Sequence, residues 1–386
     1  MKKKWLLVSF LWVFSLLVTA CGSGEEKDQG VKEESDKIVL GGIGGLTGEV
    51  AVYGVSSFNG AQIAIDEINE TGGINSKQIV LKLEDDKGVT TESINAYNKL
   101  RDEGVVAIIG SITSAPTEAI APLAQEDKMP LITPTGTQFG ITMGRDGVFR
   151  VCFTDPFQGE ILAQYAKDSG AKTAALMKNS SSDYSSGVYD AFKAKAEELG
   201  IEIVAEESYG NDDMDFRVQL TNIKSANPDV LLVPDYYQIN ALIAIQANEL
   251  GIDAMILGPD GWDGVIQQVE PSQYDVLNKV YFTNHYSLDD TDERVQNFIK
   301  NYRDRFGEDP TAFAALSYDA VYLYKQAIEE ANSTEAEAIL TALNKIEFEG
   351  ITGKLKFDEN NNPVKSVSII SIKDGKYTLS DVVEPK

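Results

Sequence analysis

From Lys37 onward the sequence switches repeatedly between short apolar runs and segments whose apolar residues recur at helical spacing. That alternation is the strongest constraint the chain carries. A strand, a helix and a further strand make a right-handed crossover onto a parallel sheet. Strands are predicted at 38–43, 79–83, 105–109 and 130–133, with helices at 59–69, 91–102 and 115–125 between them. The pattern then restarts. Strands at 173–177, 201–204, 230–233, 254–257 and 280–282 alternate with helices at 159–168, 186–199, 216–225 and 239–250. Longer helical patterns cover 291–306, 312–331 and 335–343, and β-like pieces follow at 354–357, 367–372 and 377–379. The expected fold is α/β, with two doubly wound parallel-sheet lobes. Ligands of such lobes sit outside the carboxyl ends of the strands. Two facing lobes make a cleft that closes by hinge motion.

The segment before Lys37 reads as an address. Met1-Lys-Lys-Lys4 is a positive n-region, and residues 5–20 are apolar apart from Ser9, Ser15 and Thr19. The run is short for a membrane span, which needs about 20 apolar residues, and suits a secretory signal. It ends Leu17-Val18-Thr19-Ala20-Cys21 before Gly22-Ser23-Gly24. Small residues before a Cys resemble a lipoprotein lipobox, which implies cleavage after Ala20 and lipidation of Cys21. Residues 21–36 are charged and without apolar period, the composition of a disordered tether. The expected molecule is extracytoplasmic and touches the bacterial membrane only through its lipid anchor.

Composition removes most chemistries. With 34 Lys+Arg against 60 Asp+Glu the net charge is −26, so there is no basic face for nucleic acid. Two Cys make no disulfide framework. A single His, His285, excludes most zinc sites and Ser-His-Asp triads. Cys152 lies in an apolar stretch and reads as a small core hydrophobe. The glycine-rich segment Gly41-Gly-Ile-Gly-Gly-Leu-Thr-Gly48 fails the dinucleotide fingerprint, because its third glycine position is Thr47. No cofactor and no metal are expected.

Chemistry is expected at the strand ends. The strand at 105–109 runs into Gly110-Ser-Ile-Thr-Ser-Ala-Pro-Thr117, a hydroxyl-rich turn at a helix start. Free N–H groups and hydroxyls at a positive helix terminus make an anion cradle, although Ser114 alone could be an ordinary cap. A second such strand end is Pro134-Thr-Gly-Thr137. Asp260 stands between Pro259 and Gly261 at another strand end, as a turn residue or a cation partner. Asp235 is similar, and the turn role is favoured for it. Tyr53, Tyr184, Tyr236 and Tyr237 fall near the rims of both lobes, where aromatic walls enclose a small molecule. Trp262 either packs beneath its loop or meets the ligand. These parts contain no nucleophile with a base, so no enzyme is expected. They suit a zwitterion: donors for a carboxylate, an acid for an ammonium, and aromatic walls.

The sequence resembles the substrate-binding proteins of branched-chain (Leu/Ile/Val-type) amino acid ABC transporters, over residues 37–386. The matching stretches include Ile43-Gly-Gly-Leu-Thr-Gly48, Asn59-Gly-Ala-Gln-Ile-Ala-Ile-Asp-Glu-Ile-Asn69, Asp85-Asp86, Ile132-Thr-Pro134, Phe149-Arg150 with Gln158-Gly159, Asp183-Tyr-Ser-Ser-Gly187, Leu257-Gly-Pro-Asp-Gly261 and Ser317-Tyr-Asp-Ala320. The resemblance implies the type I periplasmic-binding-protein fold, with two lobes joined by a three-strand hinge. Its crossings fall near Asp155, Asn284 and Lys365. Lobe 1 is then 37–155 with 285–365, and lobe 2 is 156–284 with 366–386. It further implies that Ser114 and Thr137 bind the ligand's carboxylate. The ammonium would be held by the Thr135 carbonyl, the Thr137 hydroxyl and Asp260. Tyr53, Tyr184, Tyr236 and Tyr318 would line the pocket. Its implied partners are a free amino acid and ABC permease subunits, and its implied state is a monomer. A sensory domain of the same fold is the alternative.

Overall fold

The computed structural model describes residues 37–384. The expected signal peptide, Cys21 and the expected tether therefore lie outside the described residues. The first half lays down β1 (Lys37–Gly44), α1 (Ala51–Glu70), β2 (Gln78–Asp85), α2 (Thr90–Asp102), β3 (Ala107–Gly110), α3 (Ser114–Asp127), β4 (Leu131–Thr133) and β5 (Val148–Arg150). These strands form a parallel sheet in the order β2-β1-β3-β4-β5.

The chain then builds a second sheet. It contains α4 (Asp155–Asp168), β6 (Thr173–Asn179), α5 (Asp183–Glu198), β7 (Glu202–Tyr209), α6 (Arg217–Ala226), β8 (Val230–Leu232), α7 (Tyr237–Leu250), β9 (Met255–Gly258) and β10 (Val280–Asn284). Next come α8 (Glu293–Phe306), α9 (Ala312–Ala331), α10 (Ala336–Leu343) and the hairpin β11 (Glu347–Gly350) with β12 (Gly353–Lys356). α9 packs along α1 and so belongs with the first sheet. Last, β13 (Val367–Lys373) and β14 (Lys376–Val383) return to the second sheet, ordered β14-β13-β10-β9-β8-β6-β7. Those two strands are antiparallel, an edge that the sequence pattern of parallel lobes did not predict. The architecture is α/β, with two lobes linked by three passages of the chain.

Three helices begin earlier than their periodicity suggests. α1 starts at Ala51 rather than Asn59, through Gly54, Ser56 and Ser57, all weak helix formers. Packing overrides propensity there. A Cβ on Gly54 would lie 2.1 Å from the Gly45 carbonyl oxygen, and one on Gly60 would lie 2.0 Å from that of Ala314. Glycine thus lets α1 lie directly on the first loop and on α9. α4 starts at Asp155, capped by the Thr154 hydroxyl accepting from Phe157 N at 3.4 Å, with Pro156 in its first turn. α5 starts at Asp183, capped by Ser182 accepting from Ser185 N at 3.2 Å.

Candidate functional site

The first lobe contributes the turn between β3 and α3 and the loop after β4. Both are tied down by side-chain hydrogen bonds. The Ser111 hydroxyl donates to the buried Asp86 carboxylate. Thr133 Oγ1 donates to Ser111 O at 2.8 Å, and Thr135 Oγ1 to Ile112 O at 2.5 Å. The Thr135 hydroxyl is therefore spent on the fold. From β5 the buried Arg150 guanidinium donates to Gly136 O at 3.0 Å and to Gln138 O at 3.0 Å. Within this frame Ser114 Oγ and Thr137 Oγ1 lie 3.4 Å apart, and Asp155 N donates to Thr137 O at 3.0 Å. The first N–H groups of α3 have no partner within the helix, so hydroxyls and amide donors converge at one point.

The second lobe contributes Asp260, which opens a short 3-10 turn after β9. Its Oδ1 accepts from Tyr184 OH at 3.1 Å and from Gln158 Nε2 at 3.2 Å. Gln158 Oε1 in turn accepts from Asp260 N at 3.0 Å and from Thr283 Oγ1 at 2.6 Å. The two-point grip of Gln158 fixes the acid from α4. His285 Nε2 lies 3.4 Å from Asp260 Oδ2. Burial lowers the pKa of His285 to about 4, so its imidazole is neutral at pH 7.

Three tyrosines meet above this acid. Tyr184 stacks on Tyr236 with centroids 5.0 Å apart, and Tyr53 meets Tyr236 edge-on at 5.6 Å. Tyr53 itself stacks on Phe313 at 4.1 Å. Tyr318 is not among them: on α9 its hydroxyl donates to Glu67 Oε2 at 2.6 Å, and its ring packs on Phe298 at 5.0 Å. That corrects its expected place in the pocket, because α9 turns this residue towards α8 rather than the cleft. Trp262 is fully buried and donates from Nε1 to Val233 O at 2.8 Å, so it packs beneath the Asp260 turn. Asp235 serves its own turn and strand ends, accepting from Tyr236 N at 2.7 Å and Tyr209 OH at 2.7 Å.

One residue of the site was named in the sequence only as a lobe crossing. Asp155, the first residue of α4, is buried, and neither carboxylate oxygen has a hydrogen-bond partner. Burial pushes its carboxyl well above the usual range, and the Asp260 carboxylate adds to that shift. The Thr137 hydroxyl pulls the other way without reaching hydrogen-bond geometry. Two acids thus share the cleft, while the nearby Arg150 is committed to backbone carbonyls. A buried carboxylate without a partner is expensive. The sequence signal was the run Thr154-Asp-Pro-Phe-Gln-Gly159, a capped helix start that delivers Asp155 and Gln158 one turn apart.

Burial pushes the Cys152 thiol up, away from thiolate character. Among the described residues no group of three or more His, Cys, Asp or Glu could hold a metal ion, and no helix is long and apolar enough to cross a membrane.

Two lobes that close on a polar, aromatic-walled cleft define a bilobal solute-binding protein. The chain belongs to the periplasmic binding protein family, whose model matches residues 37–376. It is similar to the Leu/Ile/Val-binding protein BraC3 of Rhizobium johnstonii, with 32% identity over 348 residues, 89% of this chain and 94% of that one. Among solved structures it is similar to the branched-chain amino acid transporter substrate-binding protein LivJ of Streptococcus pneumoniae, in complex with isoleucine. That likeness has 34% identity and a TM-score of 0.85, over 90% of this chain and 100% of the other. The leucine-binding protein LivK of Thermotoga maritima gives 34% identity and a TM-score of 0.82, over 90% and 99%.

Proposed function

We propose that this protein captures a free aliphatic α-amino acid, of the branched-chain type, between its lobes and delivers it to an ABC permease. The observation that carries the reading is Asp155. It is a buried carboxylate without a partner, beside Asp260 and one backbone hydrogen bond from Thr137. The α-ammonium supplies the missing cation between Asp155, Asp260 and the Thr135 carbonyl. The α-carboxylate takes the Ser114 and Thr137 hydroxyls and the amide groups at the start of α3. Tyr53, Tyr184 and Tyr236 enclose the side chain. The relatives named for leucine, isoleucine and valine support the ligand class. The protein is a carrier and not an enzyme, works as a monomer, and is held outside the cytoplasmic membrane through lipid on Cys21. The lobes comprise 37–155 with 285–365, and 156–284 with 366–386.

The test is a calorimetric titration with leucine, isoleucine, valine and isobutylamine, which is valine without its carboxylate. Saturable binding of an amino acid and none of the amine is the expected outcome. Equal binding of valine and isobutylamine refutes the two-ended site.

A further inference from the structure

The two lobes are also joined beside the ligand site, by hydroxyl and backbone groups other than those proposed to hold the ligand's two charges. The Tyr53 hydroxyl, on α1, donates to Gly261 O at 2.6 Å and accepts from Tyr237 N at 3.1 Å. Tyr237 opens α7, so its N–H has no partner within its own helix. The Tyr237 hydroxyl reaches back across the cleft and donates to Glu49 O, just ahead of α1, at 2.5 Å. The two rings lie 4.7 Å apart and nearly perpendicular, and both are buried. A further link runs along the same edge: the Asp263 carboxylate accepts from Ala312 N, at the start of α9, at 2.7 Å. Each of these bonds spans from an element of one sheet to an element of the other.

We propose that Tyr237 is a latch residue. It holds the lobes closed through Glu49 and Tyr53, and so sets the affinity for every ligand by one common factor while touching none. The proposal rests on the reading of the cleft as an amino acid site. Its logic is a population argument. A ligand that is enclosed only by the closed form binds with an apparent Kd equal to its intrinsic Kd divided by the closed fraction. A bond that exists only in the closed form changes that fraction and nothing else.

The variant is Tyr237→Phe, which keeps the ring and loses the link to Glu49. Hydrogen exchange of the ligand-free protein reads the latch directly, since the amide at 237 is protected through Tyr53. Exchange at that amide should quicken. Tyr53→Phe, which removes the other two bonds, should quicken it as well. Titrations with leucine, isoleucine and valine should each show Kd raised about 3- to 10-fold, the scale of one net hydrogen bond. Stopped flow should place the change in dissociation, and the ratios between the three ligands should stay as they were. Unchanged Kd values overturn the latch. So does a shift that differs between ligands, because it would mean that Tyr237 shapes the pocket. If the native protein binds none of the three while exchange at 237 still quickens, the latch stands and the amino acid reading fails.

Discussion

Replacing Asp155 by Asn separates what the site costs the fold from what it contributes to binding. The side chain keeps its shape and its place at the start of α4 but loses its charge. In the native protein both oxygens are buried without partners, and burial with Asp260 holds the carboxyl well above the usual range. An unpaired buried charge costs about 1–2 kcal/mol more than an unpaired buried amide. The ligand-free variant should therefore melt about 1–3 °C higher at pH 7. The pH dependence has a definite sign. A carboxyl whose pKa is raised by folding carries no penalty below its unfolded value, and the penalty grows as pH rises towards the folded value. The gain from Asn should accordingly vanish near pH 4 and be largest at neutral pH. Binding should move the opposite way. An ammonium about 4 Å from a carboxylate at an effective dielectric of about 20 gains about 4 kcal/mol. After desolvation about 2–4 kcal/mol remains, so affinity should fall about 30- to 1,000-fold. Thermal melts of both proteins across pH, with and without leucine, give both quantities. A variant that is less stable without ligand yet keeps its affinity refutes the argument.

Three further outcomes follow from the same geometry. Asp260→Ala should weaken amino acid binding by about 2–5 kcal/mol, as when one partner of a desolvated pair is removed, whereas Asp235→Ala should change affinity little; calorimetry showing equal small losses sinks the assignment of Asp260. Closure around an amino acid should change the emission of Trp262, which packs beneath the Asp260 turn, and the decarboxylated amine should leave it unchanged; an equal response to both would contradict the two-ended site. Cys21→Ala should abolish lipidation and release the protein from membranes, which mass spectrometry and fractionation check; an unchanged mass and membrane fraction would reject the anchor.

Much of the architecture was legible because parallel strands buried on both faces are continuous apolar runs, and their crossover helices keep one apolar face. The start of α1 was not, because Gly54, Ser56 and Ser57 argue against a helix and only the approach of Gly45 and Ala314 explains it. The β13–β14 edge was visible as strands but not as antiparallel ones, since direction depends on where a strand pairs rather than on what it contains. At the site, hydroxyls and tyrosines at strand ends were readable as residue types. Tyr318 was misplaced because a helical tyrosine can face either the cleft or a neighbouring helix, and Phe298 with Glu67 decides it. Asp155 and Gln158 were missed as site residues because their role comes from α4 lying against the Asp260 turn, a contact between residues 102 positions apart for Gln158.

The return of the chain to the second sheet bears on how the protein matures. β10 is flanked on one side by β9 and on the other by β13, whose Ser368–Ser371 pair with Tyr281–Asn284. A chain emerging from its N-terminus therefore holds β6 to β10 with an open strand edge while α8, α9, α10 and the hairpin are still to come. Such an edge recruits other strands, and contacts that remote in sequence form slowly. Neither lobe is completed by a continuous stretch, so a cut after β10 leaves the first sheet without α9 packed on α1 and the second sheet without β13 and β14. A chain stalled before Val367 would be a target for proteases and aggregation rather than a smaller working receptor.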